Sequence, residues 1–133
     1  MSHSMSLEQS YLTLIEFMML SKHRVIELGS EYGLTGMQTM MLFLLDEPRP
    51  MNSFKKILNC DASNVTGLVD GLEQKKLASR YEHPDDRRIK MVSLDRKGKR
   101  IRNTLVRNLA GRDGPILSRL NPQEFDTFIE LLQ

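Results

Sequence analysis

Residues 52–95 read NSFKKILNCDASNVTGLVDGLEQKKLASRYEHPDDRRIKMVSLD, and the reading of this stretch decides the fold. Asn52 is placed to cap a short helix that carries Phe54, Ile57 and Leu58 inward. Asn59-Cys60 makes a turn. Asp61 has the chemistry of an N-cap for a second helix, about Ala62 to Lys76, with Val65, Leu68, Val69 and Leu72 as its buried stripe. The period then changes. Leu77 to Tyr81 reads as a short strand, His83-Pro84-Asp85-Asp86-Arg87-Arg88 as a charged turn, and Ile89, Met91, Val92 and Leu94 as the returning strand. Two short helices joined by a tight turn and followed by a charged hairpin form a winged helix-turn-helix. Its second helix is shaped to enter a DNA major groove, with the hairpin tip near the flanking minor groove.

The flanks read as helices. Apolar residues at 7, 11, 14, 15, 18, 25 and 28 have helical spacing from Leu7 to about Ser30, with Ser6 and Gln9 set as a capping box and Gly29 and Gly33 as the end. Thr35 and Gln38 have the same box spacing and open a helix whose apolar face is Met37, Met40, Met41, Leu44 and Leu45. Pro48 and Pro50 forbid its continuation. After the hairpin, Asp95 is placed to cap a helix carrying Ile101, Leu105, Val106 and Leu109, which Gly111 and Gly114-Pro115 are expected to break. Asn121-Pro122-Gln123-Glu124 combines a cap, a proline at the first helical position and a glutamate at the third, and Phe125, Phe128, Ile129, Leu131 and Leu132 follow. The expected fold is therefore mainly α with a small β-hairpin wing. It forms one domain over 1–133, with the winged lobe at about 34–95 and flanking helices at 6–31 and 96–133.

The chain has 133 residues, 40% hydrophobic and 27% charged, which suits one globular domain with a real core. The apolar run from Gly36 to Leu45 is too short to span a bilayer, and no secretion signal is visible, so no membrane role and a cytoplasmic location are expected. Cys60 is the single cysteine, which excludes an internal disulfide. His3, His23 and His83 do not cluster, so neither a metal nor another cofactor is expected. No catalytic constellation appears. Net charge is +2, but residues 49–107 hold 15 Lys/Arg against 7 Asp/Glu, while the remainder is acidic by six. A basic middle between acidic ends points to a polyanionic partner, against the plainer reading of a solvated surface.

Leu34-Thr35-Gly36-Met37-Gln38, Leu58 through Glu73, Leu77-Ala78-Ser79-Arg80 and Asp85 through Gly98, in that order, resemble the MarR family (multiple antibiotic resistance regulators). The resemblance covers about residues 34–100. It implies a sequence-specific double-stranded DNA-binding transcription regulator, not an enzyme. It further implies a dimeric repressor acting on a palindromic operator, joined through its first, fifth and sixth helices and modulated by a small organic effector. The alternative is a winged-helix module that binds protein. Gly71 stands where the family often has arginine, which implies one fewer contact to DNA.

Candidate DNA-binding residues follow. Ser63, Asn64 and Thr66 lie at the start of the recognition helix, where short polar side chains and free N–H groups suit phosphates and base edges, though the same residues also favour any helix start. Arg87 and Arg88 sit at the hairpin. By resemblance, Asp86 braces Arg88 for the minor groove, where a narrow cleft concentrates negative potential. Lys55 and Lys90 complete the set as phosphate contacts. Cys60 is expected to be a buried structural thiol in the turn. The peroxide-sensing branch of the family uses a cysteine near the start of its first helix, and this chain has none there. Met18, Met19, Met37, Met40 and Met41 make either core or the wall of an effector pocket.

Overall fold

The structure, a computed structural model, describes residues 5–117 and 119–133, and for 112–117 the backbone alone. His3 lies outside the described residues. The elements are α1 (Leu7–Ser30), α2 (Gly36–Leu44), β1 (Arg49–Pro50), α3 (Ser53–Ile57), α4 (Ala62–Gln74), β2 (Ala78–His83), β3 (Asp86–Leu94), α5 (Arg96–Leu117) and α6 (Pro122–Leu132). The strands form one antiparallel sheet in the order β1-β3-β2. This is a helical fold with a winged helix-turn-helix, and among the described residues no helix is long and apolar enough to cross a membrane.

The helix starts follow their side chains. Thr35 accepts from the Gln38 amide while the Gln38 side chain accepts from the Thr35 amide, and Asn121 and Glu124 repeat this reciprocal box at α6. Asp61 accepts from the Asn64 amide at 2.8 Å. The helix-turn-helix turn is made by Asn59, at φ 50, with the Cys60 amide bonding back to the Lys55 carbonyl at 3.0 Å. Asparagine tolerates this left-handed conformation better than most residues. α4 ends the same way on Lys76, at φ 58, with the Leu77 amide donating to the Leu72 carbonyl at 2.9 Å.

Leu28 of α1, Met41 and Leu42 of α2, Phe54 of α3, Val69 and Leu72 of α4, Val92 of β3 and Leu105 of α5 are fully buried in one core. Two glycines let helices approach it. A Cβ on Gly98 would lie 2.0 Å from the Leu77 carbonyl oxygen, and one on Gly29 would lie 1.8 Å from the Thr39 hydroxyl. α5 therefore seats directly on the start of β2, and α1 crosses α2 at closest range.

Several expectations need correction. Asn52 makes no side-chain cap bond to α3, and Ile57 is exposed, because a five-residue helix has only one inward face and Phe54 fills it. The charged turn shrinks to Pro84-Asp85. Asp86, Arg87 and Arg88 already belong to β3, where His83 pairs with Asp86. Arg49-Pro50 forms a third strand on the sheet edge, where a proline is tolerated. Asp95 does stand at the head of α5, where its carbonyl accepts from the Lys99 amide at 2.9 Å, and its carboxylate also accepts from the Ser79 hydroxyl at 2.7 Å, which ties β2 to the start of that helix. α5 continues through Gly111, Gly114 and Pro115 to Leu117. A helical glycine costs about 1 kcal/mol relative to alanine, which weakens a helix without forbidding it.

Candidate nucleic-acid interface

α4 buries Val65, Val69 and Leu72, which turns Ser63, Thr66, Gly67 and Asp70 outward. The Asp61 carboxylate holds the start of this helix by accepting from the Asn64 amide and the Ser63 hydroxyl, both at 2.8 Å. Those bonds, the Asn64 amide first, hold the Asp61 carboxyl below the ordinary carboxylate range. Thr66 donates its hydroxyl to the Ala62 carbonyl at 3.0 Å, which leaves its methyl and oxygen lone pairs on the exposed face.

A groove of about 340 Å³ runs between this helix and the wing. Thr66, Lys55, Lys90, Arg88 and Arg80 stand around it. Five positions spread over 36 residues of sequence thus converge on one concave surface, and four of them are cationic. Ser63 and Asn64 are not part of that groove. They line a separate hollow with Met37, Cys60, Gly67 and Leu68 on the other shoulder of α4. Arg87 is exposed on the wing, one residue out of phase with Arg88 and Lys90, and so points to the opposite face of β3.

Asp86 braces Arg88 in full. The Arg88 amide and Nε donate to Oδ1 at 3.0 and 3.1 Å, and Nη2 donates to Oδ2 at 3.1 Å. The Arg88 side chain nevertheless remains 91% exposed. The bracing guanidinium and amide, with His83 nearby, hold the Asp86 carboxyl below its usual range, and Asp86 in turn raises Arg88. Lys90 pairs with Glu82 across the hairpin at 3.0 Å. These are fork and point charges fixed in direction and open to solvent, which is what a phosphate or a narrow groove requires.

Arg80 was not among the residues singled out from sequence. It leaves β2 to meet α4: its Nε donates to Glu73 Oε1 at 2.9 Å, its amide to the same oxygen at 3.2 Å, and Nη2 to Asp70. Glu73 first and Asp70 second raise the Arg80 pKa. This clamp fixes the angle between recognition helix and wing. The signal that could have found it was the pair of acids one helical turn apart facing a lone arginine in the next strand.

Gly71 does not face the groove. A Cβ there would lie 2.3 Å from Gln38 Nε2, so the position packs on the start of α2. Cys60 is half-buried against the core and not enclosed. Of the methionines, Met41 of α2 is buried, whereas Met18 and Met19 are exposed on α1, which turns Leu28 and Gly29 to the lobe instead.

Comparison with known proteins agrees with this geometry. Residues 34–90 match the model of the MarR family. The chain is 28% identical over 81 residues to the HTH-type transcriptional regulator YhbI of Bacillus subtilis, a match covering 59% of this chain and 53% of that protein. It is 29% identical over 107 residues to the regulator MhqR of the same organism, covering 77% and 72%. The chain thus spans about half the length of the first of these relatives. Among solved structures, CouR of Rhodococcus jostii bound to p-coumaroyl-CoA superposes with a TM-score of 0.77 at 22% identity, covering 99% of this chain and 94% of that one. A mutant of S. aureus MepR bound to an oligodeoxyribonucleotide superposes with a TM-score of 0.64 at 23% identity, covering 92% and 91%. Over its helix-turn-helix and wing, residues 34–90, the chain is thus similar to the MarR family.

Proposed function

We propose that the chain is a transcription regulator that binds double-stranded DNA as a homodimer, represses from a palindromic operator, and is modulated by a small organic effector. It acts in the cytoplasm by binding and not by catalysis. The observation that carries the reading is the groove in which Lys55, Thr66, Arg88 and Lys90 meet between recognition helix and wing. Ser63 and Asn64 extend the contact along the exposed side of α4, and Arg87 extends it along the wing, with Asp86 as the brace. The residues divide into a reading lobe at about 34–95 and dimerising helices at 6–31 and 96–133.

The outer helices support the dimer. Leu7, Tyr11, Leu12, Met18, Met19 and Leu20 of α1 and Leu131 and Leu132 of α6 are well exposed. Exposed apolar side chains in this number on two outer helices are what a protein interface would cover. Two recognition helices related by a two-fold axis then enter successive major grooves, about 10 base pairs apart. That CouR was solved with p-coumaroyl-CoA, and MepR with an oligodeoxyribonucleotide, supports effector and DNA as partner classes here.

The test is titration of the parent and Arg88→Ala against a palindromic duplex at two salt concentrations. Steep weakening with salt, and a further loss in Arg88→Ala with the dimer intact, is the expected result. Equal binding by both proteins at both salts would remove the wing as a DNA contact and favour the protein-binding alternative.

A further inference from the structure

A second basic surface lies at the opposite end of α4. There Lys75 and Lys76, which close the helix, meet Lys97 in the first turn of α5 and Tyr32 in the turn after α1, around a hollow of about 430 Å³. Its floor is apolar, with buried Leu77 and half-buried Ile101. That volume is within the usual range of small-molecule sites. The carboxylates flanking the lysines in sequence are already committed, Glu73 to Arg80 and Asp95 to Ser79.

Lys76 makes the arrangement unusual. It holds the left-handed position at φ 58 that closes the helix, where a residue without a side chain is the ordinary occupant. A strained backbone at a lysine that lines a cationic hollow is a reason to look for a ligand there. We propose that this hollow binds the phosphate group of a small phosphate ester. Lys97 Nζ donates to the Lys75 carbonyl at 3.5 Å, which holds it beside the other two lysines, and three ammonium groups match a group carrying nearly two negative charges at neutral pH better than a carboxylate carrying one. Leu77, Ile101 and the Tyr32 ring provide the surface for the carbon part. The 13 residues of α4 put the hollow about 20 Å from the helix start that faces DNA, which favours a free ligand over the DNA backbone. An occupied hollow would tie α5 to the end of the recognition helix; that this changes DNA affinity rests on the regulator reading.

The probe is phenyl phosphate, titrated calorimetrically into the full chain without DNA, with benzoate at matched ionic strength as control. Phenyl phosphate should bind saturably and at least tenfold more tightly than benzoate. Lys97→Gln should weaken it tenfold. Lys76→Gly should weaken it equally while raising the melting temperature in phosphate-free buffer, a combination that a purely structural lysine cannot produce. Binding to Lys76→Gly within twofold of the parent, or no preference for phenyl phosphate over benzoate, overturns the proposal. A separate arm measures DNA affinity without phenyl phosphate, on a duplex selected by the parent from a random pool. Lys76→Gly should match the parent there; a loss assigns these lysines to DNA phosphates and also overturns the proposal. A parent that selects no duplex overturns the regulator reading alone.

Discussion

The winged lobe and the outer helices bury their apolar residues to very different degrees. α4 is 13 residues long and buries Val65, Val69 and Leu72, whereas α1 has 24 residues and buries only Leu28 and Gly29, both near its C-terminal end where it meets the lobe. α6 buries none of its residues, yet it starts from a complete capping box with proline at its head. The caps are equally good in both regions, so helix formation does not explain the difference. What differs is how much of each apolar face this chain itself covers. The lobe satisfies itself within one chain, and α1 and α6 carry apolar faces that one chain does not cover.

The largest effects should fall where the two regions are joined. Leu72→Ala removes a fully buried side chain and should cost about 3 kcal/mol in urea unfolding. Gly98→Ala should cost a similar amount, about 3 kcal/mol, because its new methyl group meets the Leu77 backbone carbonyl, which cannot swing aside. By contrast Leu12→Glu, at a side chain 61% exposed, should change the stability of the lobe by less than about 0.5 kcal/mol. It should, however, raise the dimer dissociation constant more than tenfold by sedimentation. If Leu12→Glu unfolds the lobe as Leu72→Ala does, the division between self-sufficient lobe and partner-seeking helices is wrong.

Within the lobe, the two shoulders of α4 can be separated in the same way. Thr66 lies in the groove with Lys55 and Arg88, and Asn64 lies on the Cys60 side. Thr66→Ala should weaken operator binding by roughly 1 kcal/mol per half-site without altering the salt slope, since it removes a neutral contact. Lys55→Ala should lower the slope, since it removes a phosphate contact. Equal slopes in the two variants would place Lys55 away from the DNA.

The braces titrate outside the working range. The carboxyls of Asp61 and Asp86 are both lowered from the ordinary 3.8 by bonds to their ionised form. What those bonds contribute is fully present above 3.8 and is lost as the pH falls through the lower folded-state values. Asp86→Asn should therefore lose the charge-assisted part of the brace at neutral pH, and the difference from the parent should vanish below the Asp86 value. Amide exchange along the wing, followed against pH, checks this. A parent wing that loosens well above pH 3.8 would show that another group controls it.

How much of this was legible follows from the range of each signal. Caps are local, so Thr35 with Gln38, Asp61 with Asn64 and Asn121 with Glu124 could be read from spacings of three residues. The hairpin was legible for the same reason, although its turn was drawn too wide, because charged residues populate exposed strands as readily as turns. β1 was hidden because Pro48 and Pro50 read as a break, and only the unpaired edge of β3 makes a strand of Arg49-Pro50. Candidate binding residues could be named individually. Their grouping could not, because the meeting of Lys55 with Arg88, or of Arg80 with Asp70 and Glu73, depends on how α4 settles against the sheet.

Gly71 offers the smallest and most discriminating test, because two opposing terms nearly cancel there. Alanine removes a helical glycine and should stabilise α4 by about 1 kcal/mol. Its methyl group, however, would need the space now held by Gln38 Nε2, 2.3 Å away. The Gln38 side chain is not free to leave without loss, since its Oε1 accepts from the Thr35 amide at 3.0 Å and completes the capping box of α2. Giving up that bond should cost about 1 kcal/mol, a typical value for a cap. The net change in stability should stay within about 0.5 kcal/mol, and DNA affinity should not move, because the site faces α2. Gln38→Ala reports on the other side of the balance: it opens the space, so Gly71→Ala in that background should recover the full helix gain of about 1 kcal/mol. A Gly71→Ala protein of unchanged stability that binds DNA several-fold better or worse than the parent would return position 71 to the reading face and narrow the contrast between the two shoulders of α4.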